Sequence, residues 1–98
     1  MIESNSVKLQ MTINGEETTY LWSNLKCLTL RSVDCLTYTS LYYDLDFGEK
    51  SITLDEDWEG VGRVVNEHLR KLPGFDGDTF LKAFRAQIIG SFVLYKRE

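Results

Sequence analysis

The sequence predicts an α+β domain: a curved antiparallel sheet of about six strands packed with one long and one short C-terminal helix. Three observations carry that reading. Residues 7–14, VKLQMTIN, alternate apolar and polar with period two, and Asn14-Gly15 closes the run. Residues 36–54 hold two more extended runs joined at Gly48-Glu49. From Asp57 the apolar period lengthens to that of a helix, and the only proline, Pro73, stops it. Ninety-eight residues, 43% hydrophobic and 27% charged, make a single domain over residues 1–98 with one core.

In chain order, Val7, Leu9, Met11 and Ile13 share one face of the first strand. Asn14-Gly15 suits a type I′ turn, whose two central residues need positive φ. The return strand is residues 17–22. Ser23-Asn24 breaks it, and residues 25–30 resume as a third strand. Residues 36–47, LTYTSLYYDLDF, form a long fourth strand, and Gly48 leads a type II′ turn into the fifth. The turn sets the register: Phe47 opposite Lys50, Leu45 opposite Ile52, Tyr43 opposite Leu54. Tyr42, Asp44 and Asp46 then lie on the other face, across from Asp55, Thr53 and Ser51. A slip of one residue would bury the aspartates, so the apolar pattern holds this register.

Residues 57–72 read as the long helix, with Trp58, Val61, Val65, Leu69 and Leu72 as its buried stripe. Acids at its start and Arg70-Lys71 at its end complement the helix dipole. Pro73-Gly74 ends it. Residues 77–87 form the shorter helix, with Asp76 as N-cap and Phe75 stapled to Phe80. Residues 88–96 form the last strand.

Charge is the one functional signal. Residues 44–60 hold seven acids (Asp44, Asp46, Glu49, Asp55, Glu56, Asp57, Glu59) and one base, Lys50, in a chain of net charge −4. Tyr38 and Tyr42 share a strand face with Asp44 and Asp46. Tyrosines anchor interfaces and clustered carboxylates steer basic partners, so these nine residues are the candidate binding surface. The alternative is a solvated sheet face beside ordinary helix-start acids. The dipole explains Asp55, Glu56, Asp57 and Glu59, but not Asp44 and Asp46.

Other chemistry finds little support. His68 is the only histidine, and no second one stands near a Ser, Cys or Asp nucleophile, which points away from an enzyme. Asp44-x-Asp46-x-Gly48 starts like a calcium loop but carries Glu49 where glycine is required. Zinc lacks ligands, no Gly-rich phosphate loop occurs, and no cofactor is expected. A sequence pI near 4.9 argues against nucleic acid as a partner. No signal peptide or membrane span is visible, so a cytoplasmic location and free thiols at Cys27 and Cys35 are expected.

Ile52–Gly60 (ITLDEDWEG), the helix after it, Leu72-Pro73-Gly74-Phe75 and the closing run from Phe92 to Arg97 resemble a family of short acidic bacterial proteins. Some of its members are similar to immunity proteins of contact-dependent growth inhibition systems. The resemblance covers the second half of the chain and supplies no catalytic residue. It implies a protein that forms a one-to-one complex with a basic toxin, such as a nuclease, and occludes its active site. The alternative is a non-enzymatic adaptor or scaffold domain built as a pleckstrin-homology-like barrel.

Overall fold

The computed structural model describes residues 2–86 and 89–97. The fold is α+β, with the strands divided between two antiparallel sheets. The first sheet has the order β1-β2-β3, from Ile2–Ser4, Lys8–Ile13 and Glu16–Leu21. The second has the order β6-β5-β4-β7, from Ser51–Asp55, Thr39–Asp46, Cys27–Asp34 and Gly90–Lys96. Helices α1 (Val61–Glu67) and α2 (Gly77–Ala86) lie between β6 and β7 in the chain. Among the described residues, no helix is long and apolar enough to cross a membrane.

The expected single sheet of about six strands is therefore corrected to two. Two features account for this. Trp22–Asn24 forms a 3-10 turn that ends β3 and sends the chain away from it, so β4 pairs with β5 and β7 instead. β1, which the sequence reading lacks, extends the first sheet on the far side of β2. Asn5 directs the β1–β2 turn, its side-chain oxygen accepting from the Val7 and Lys8 amides at 2.8 and 2.9 Å. Trp22 Nε1 donates to the Asn5 carbonyl at 2.8 Å and ties that turn to the end of β3.

Both hairpins follow their turn chemistry. Asn14 and Gly15 have φ of 53° and 83°, and Ile13 pairs with Glu16. Gly48 has φ of 90°. The β5–β6 register places Leu45 opposite Ile52, Tyr43 opposite Leu54 and Tyr42 opposite Asp55. The long strand is shorter than expected at its start. Leu36 has positive φ and is exposed, so residues 36–38 form the β4–β5 turn and Thr39 begins β5. β4 runs on to Asp34 instead of stopping at Leu30.

The expected long helix is also corrected. Only Val61–Glu67 is α-helical, and a 3-10 turn, Leu69–Lys71, follows it. Before it, the Asp55 side chain accepts from the Asp57 amide at 2.9 Å, and the Trp58 amide bonds the Asp55 carbonyl. Gly60 then takes φ of 92°, a conformation that cannot belong to a right-handed helix. The acids at 55–59 thus occupy a turn, and none lies in the first turn of α1. At ten residues α2 is the longer helix. Asp76 caps it, accepting from the Thr79 amide and hydroxyl at 3.0 and 2.7 Å, and Phe75 packs edge-on against Phe80. The expected α2 end at Gln87 and the start of the last strand at Ile88 lie outside the described residues.

One core joins both sheets and both helices. It takes Leu9 and Met11 from β2, Leu28 and Leu30 from β4, and Tyr43 and Leu45 from β5. Leu54, Val61, Val64, Val65, Leu69 and Phe80 complete its centre, with Ile52 packed at its margin. Trp58, expected in the stripe, is 47% exposed. The turn that shortens α1 swings the indole out of helical phase with Val61.

Candidate partner-binding surface

The outward face of the second sheet carries Tyr42, Asp44 and Asp46 from β5 with Thr53 and Asp55 from β6, as the register requires. The face is not a bare row of carboxylates. Arg31, opposite Tyr42 on β4, reaches Asp44 with Nε at 3.1 Å from Oδ2. Its guanidinium also lies 4.9 Å from the centre of the Tyr42 ring. The Thr53 hydroxyl donates to Asp44 Oδ1 at 2.6 Å. Partial burial disfavours the Asp44 carboxylate, but the bonds from Arg31 and Thr53 outweigh it and hold the carboxyl below its usual range. Asp44 is therefore internally neutralised. The sequence reading overlooks Arg31 because it stops the third strand at Leu30; an uninterrupted alternation through Ser32 would have placed it on this face.

The other acids divide by surroundings. Asp46 accepts from the Gly48 amide at 2.8 Å. It sits at the hairpin end with Glu49, beside a cavity that Lys26, Lys50 and Arg97 also line. Glu56 turns inward, with Oε2 buried next to the Tyr43 hydroxyl, and no hydrogen bond closes between them. Burial pushes the Glu56 carboxyl above the usual range; the Tyr43 hydroxyl opposes this, and the Asp57 and Asp55 charges add to it. Burial likewise drives the Tyr43 phenol far upward. Glu56 thus directs one carboxylate oxygen into the protein interior. Tyr38 is exposed in the β4–β5 turn, outside β5, and so stands apart from the β5–β6 strand face.

Asp55 ends β6, and Asp57 and Glu59 follow it in the β6–α1 turn with Trp58 between them. Trp58 and Glu59 line an open groove of about 940 Å³ whose other walls include Ile2, Met11, Ile13 and Arg63. Ile13 is exposed there, so the groove presents apolar surface beside carboxylates. No local apolar period marks this groove, because its walls come from β1, β2, the β6–α1 turn and the start of α1.

Among the described residues, no three His, Cys, Asp or Glu side chains gather as a metal site. Cys27 and Cys35 are free, and the Cys35 thiol lies 3.4 Å from the Ser40 hydroxyl. His68 stacks on Trp22 with ring centres 5.6 Å apart, which gives it a packing role. Comparison with protein-family models, with curated proteins and with solved structures finds no match to this chain.

Proposed function

We propose that this chain is a stoichiometric binding protein of the immunity kind, covering the active site of a cognate basic toxin in a one-to-one complex. The observation that supports it best is Trp58, a half-exposed indole among Asp55, Asp57 and Glu59. Interfaces pair an apolar aromatic anchor with a charged rim: the anchor supplies affinity, and the rim supplies encounter rate and partner choice. A nuclease fits this chemistry, because its active site expects phosphates where these carboxylates would sit. The immunity role itself comes from the sequence resemblance. In this reading Asp44 stays paired with Arg31, and Asp55, Asp57 and Glu59 meet the partner.

The test is to mix the purified chain with candidate basic toxin domains, nucleases first, and to measure the stoichiometry and affinity of any complex. Trp58→Ala is expected to weaken binding at least about tenfold, as central aromatic anchors do. Asp57→Asn with Glu59→Gln is expected mainly to slow association and flatten its salt dependence. Arg70→Gln with Lys71→Gln should leave binding intact. Failure to form any one-to-one complex would reject the proposal.

A further inference from the structure

A second surface has the opposite sign. Lys26, Lys50 and Arg97 line one cavity of about 560 Å³ at the hairpin end of the second sheet, with Tyr20 and Phe47 also in its wall and Glu49 its one acid among the described residues. Three basic residues meet here in a chain whose net charge is −4.

The backbone fixes them there. The Lys26 amide bonds the Asp46 carbonyl at 2.7 Å, the Arg97 amide bonds the Lys26 carbonyl at 2.8 Å, and the Phe47 amide bonds the Lys50 carbonyl at 2.8 Å. Three segments distant in sequence are thus laced side by side by the sheet's own hydrogen bonding. The side chains are also positioned. Arg97 donates to the Ser23 carbonyl, and the Lys50 ammonium stands 5.8 Å from the centre of the Tyr20 ring. The Lys26 stem crosses Gly48 so closely that a β-carbon there would lie 3.1 Å from Cε. Glycine at 48 is favoured by its positive φ, and a β-carbon there would also press on the flexible end of Lys26.

Among the described residues, no carboxylate lies within ion-pair distance of Lys26, Lys50 or Arg97, whereas Arg31 and Arg63 both have acidic partners. Three like charges beside a single acid, Glu49, leave a net positive charge that repels itself, and a bound anion relieves that cost. The aromatic wall lowers the local dielectric and strengthens the attraction. An arginine fork beside two lysine point charges matches the oxygens of a phosphoryl group.

We propose that this cavity binds a multivalent phosphoryl oxyanion, a diphosphate or triphosphate group. The site is independent of the toxin-binding reading and lies at the other end of β6 from the Trp58 turn.

Titration of the full chain with sodium triphosphate at low ionic strength, followed by amide NMR shifts, tests it. The amides of Lys26, Gly48, Glu49, Lys50 and Arg97 are expected to move, with orthophosphate acting on the same set more weakly. Lys50→Gln with Arg97→Gln should weaken binding by about tenfold or more, the loss expected for charge-assisted bonds. Arg70→Gln with Lys71→Gln, which removes the same charge elsewhere, should retain the parent affinity. If the first pair does not fold, Lys26→Gln alone is expected to weaken binding in the same assay. Equal weakening by both pairs, no shifts at millimolar triphosphate, or preference for a hexaglutamate peptide would each overturn the proposal.

Discussion

Trp58→Ala and Leu54→Ala together decide where the long apolar stripe begins. If Trp58 were buried in phase with Val61, Val65 and Leu69, its truncation would cost ~3–5 kcal/mol. In the structure Trp58 is 47% exposed. Roughly half of the ~250 Å² a tryptophan can bury is therefore covered. An alanine would keep part of that, leaving about 80 Å² newly uncovered, or ~2 kcal/mol at ~25 cal/mol per Å². This is an upper estimate, because the unfolded chain already hides some of the ring. No cavity penalty adds to it, since the groove is open. Leu54 is 0% exposed, paired to Tyr43 and enclosed by the core. Its truncation adds a cavity to the transfer loss, and ~3–4 kcal/mol is expected. The smaller side chain should thus cost more than the larger one. Urea denaturation by circular dichroism reads both losses at unchanged m-value. Thermal melting should fall by roughly 12–30 °C for Leu54→Ala, at ~4–8 °C per kcal/mol in a domain of this size. A Trp58→Ala loss equal to or larger than that of Leu54→Ala would refute the exposed junction and restore a helix starting at Asp57.

Two pH experiments follow from the carboxylates. The folded state raises the Glu56 pKa, so its contribution to stability is full below the ordinary carboxylate range and is lost as pH rises through the folded value. Glu56→Gln is therefore expected to melt higher than the parent at neutral pH, with the gap closing in acid; a lower melting point at neutral pH would contradict this. Asp44 has the opposite sign: its folded pKa is lowered, so its contribution is present above the unfolded value and is lost as pH falls through the folded one. Asp44→Asn should destabilise at neutral pH and become equivalent to the parent in strong acid, read from the same melting curves. A penalty that persists in strong acid would remove the ion pair with Arg31 as its cause.

The parts of the fold legible in the sequence are those fixed by local steric rules. Asn14-Gly15 and Gly48 demand positive φ, and each sets a hairpin register that the alternation of its strands then confirms. Asp76 and Phe75 cap and staple α2 through contacts three to five residues apart. What was not legible depends on competition between local and distant partners. Trp58, Val61 and Val65 have helical spacing, but Asp55 captures the Asp57 amide and Gly60 turns left-handed before the helix can include Trp58. β1 is three residues long, and β2 supplies its pairing partner, so periodicity within β1 is too short to reveal it.

The acidic block shows the same division at the level of function. Net charge along a segment is a property of sequence, but field at a surface depends on what lies across the sheet. Asp44 is neutralised by Arg31, thirteen residues earlier in the chain. Asp46 and Glu49 sit at the end where Lys26 and Arg97 arrive from β4 and β7. Glu56 is taken inward toward Tyr43. In the β6–α1 turn Asp57 and Glu59 stay exposed beside the half-exposed Trp58, and Arg63, which lines the same groove, pairs with Glu67. The two ends of β6 thus border different surfaces, an apolar groove with Glu59 and Arg63 in its wall and a cation-lined cavity. Variants at Trp58 and at Lys50 should accordingly act on different ligands. A chain lacking the Trp58 indole is expected to bind triphosphate like the parent, and one carrying Lys50→Gln with Arg97→Gln to bind the basic partner like the parent. Loss of both activities in either variant would show that the two ends form a single site.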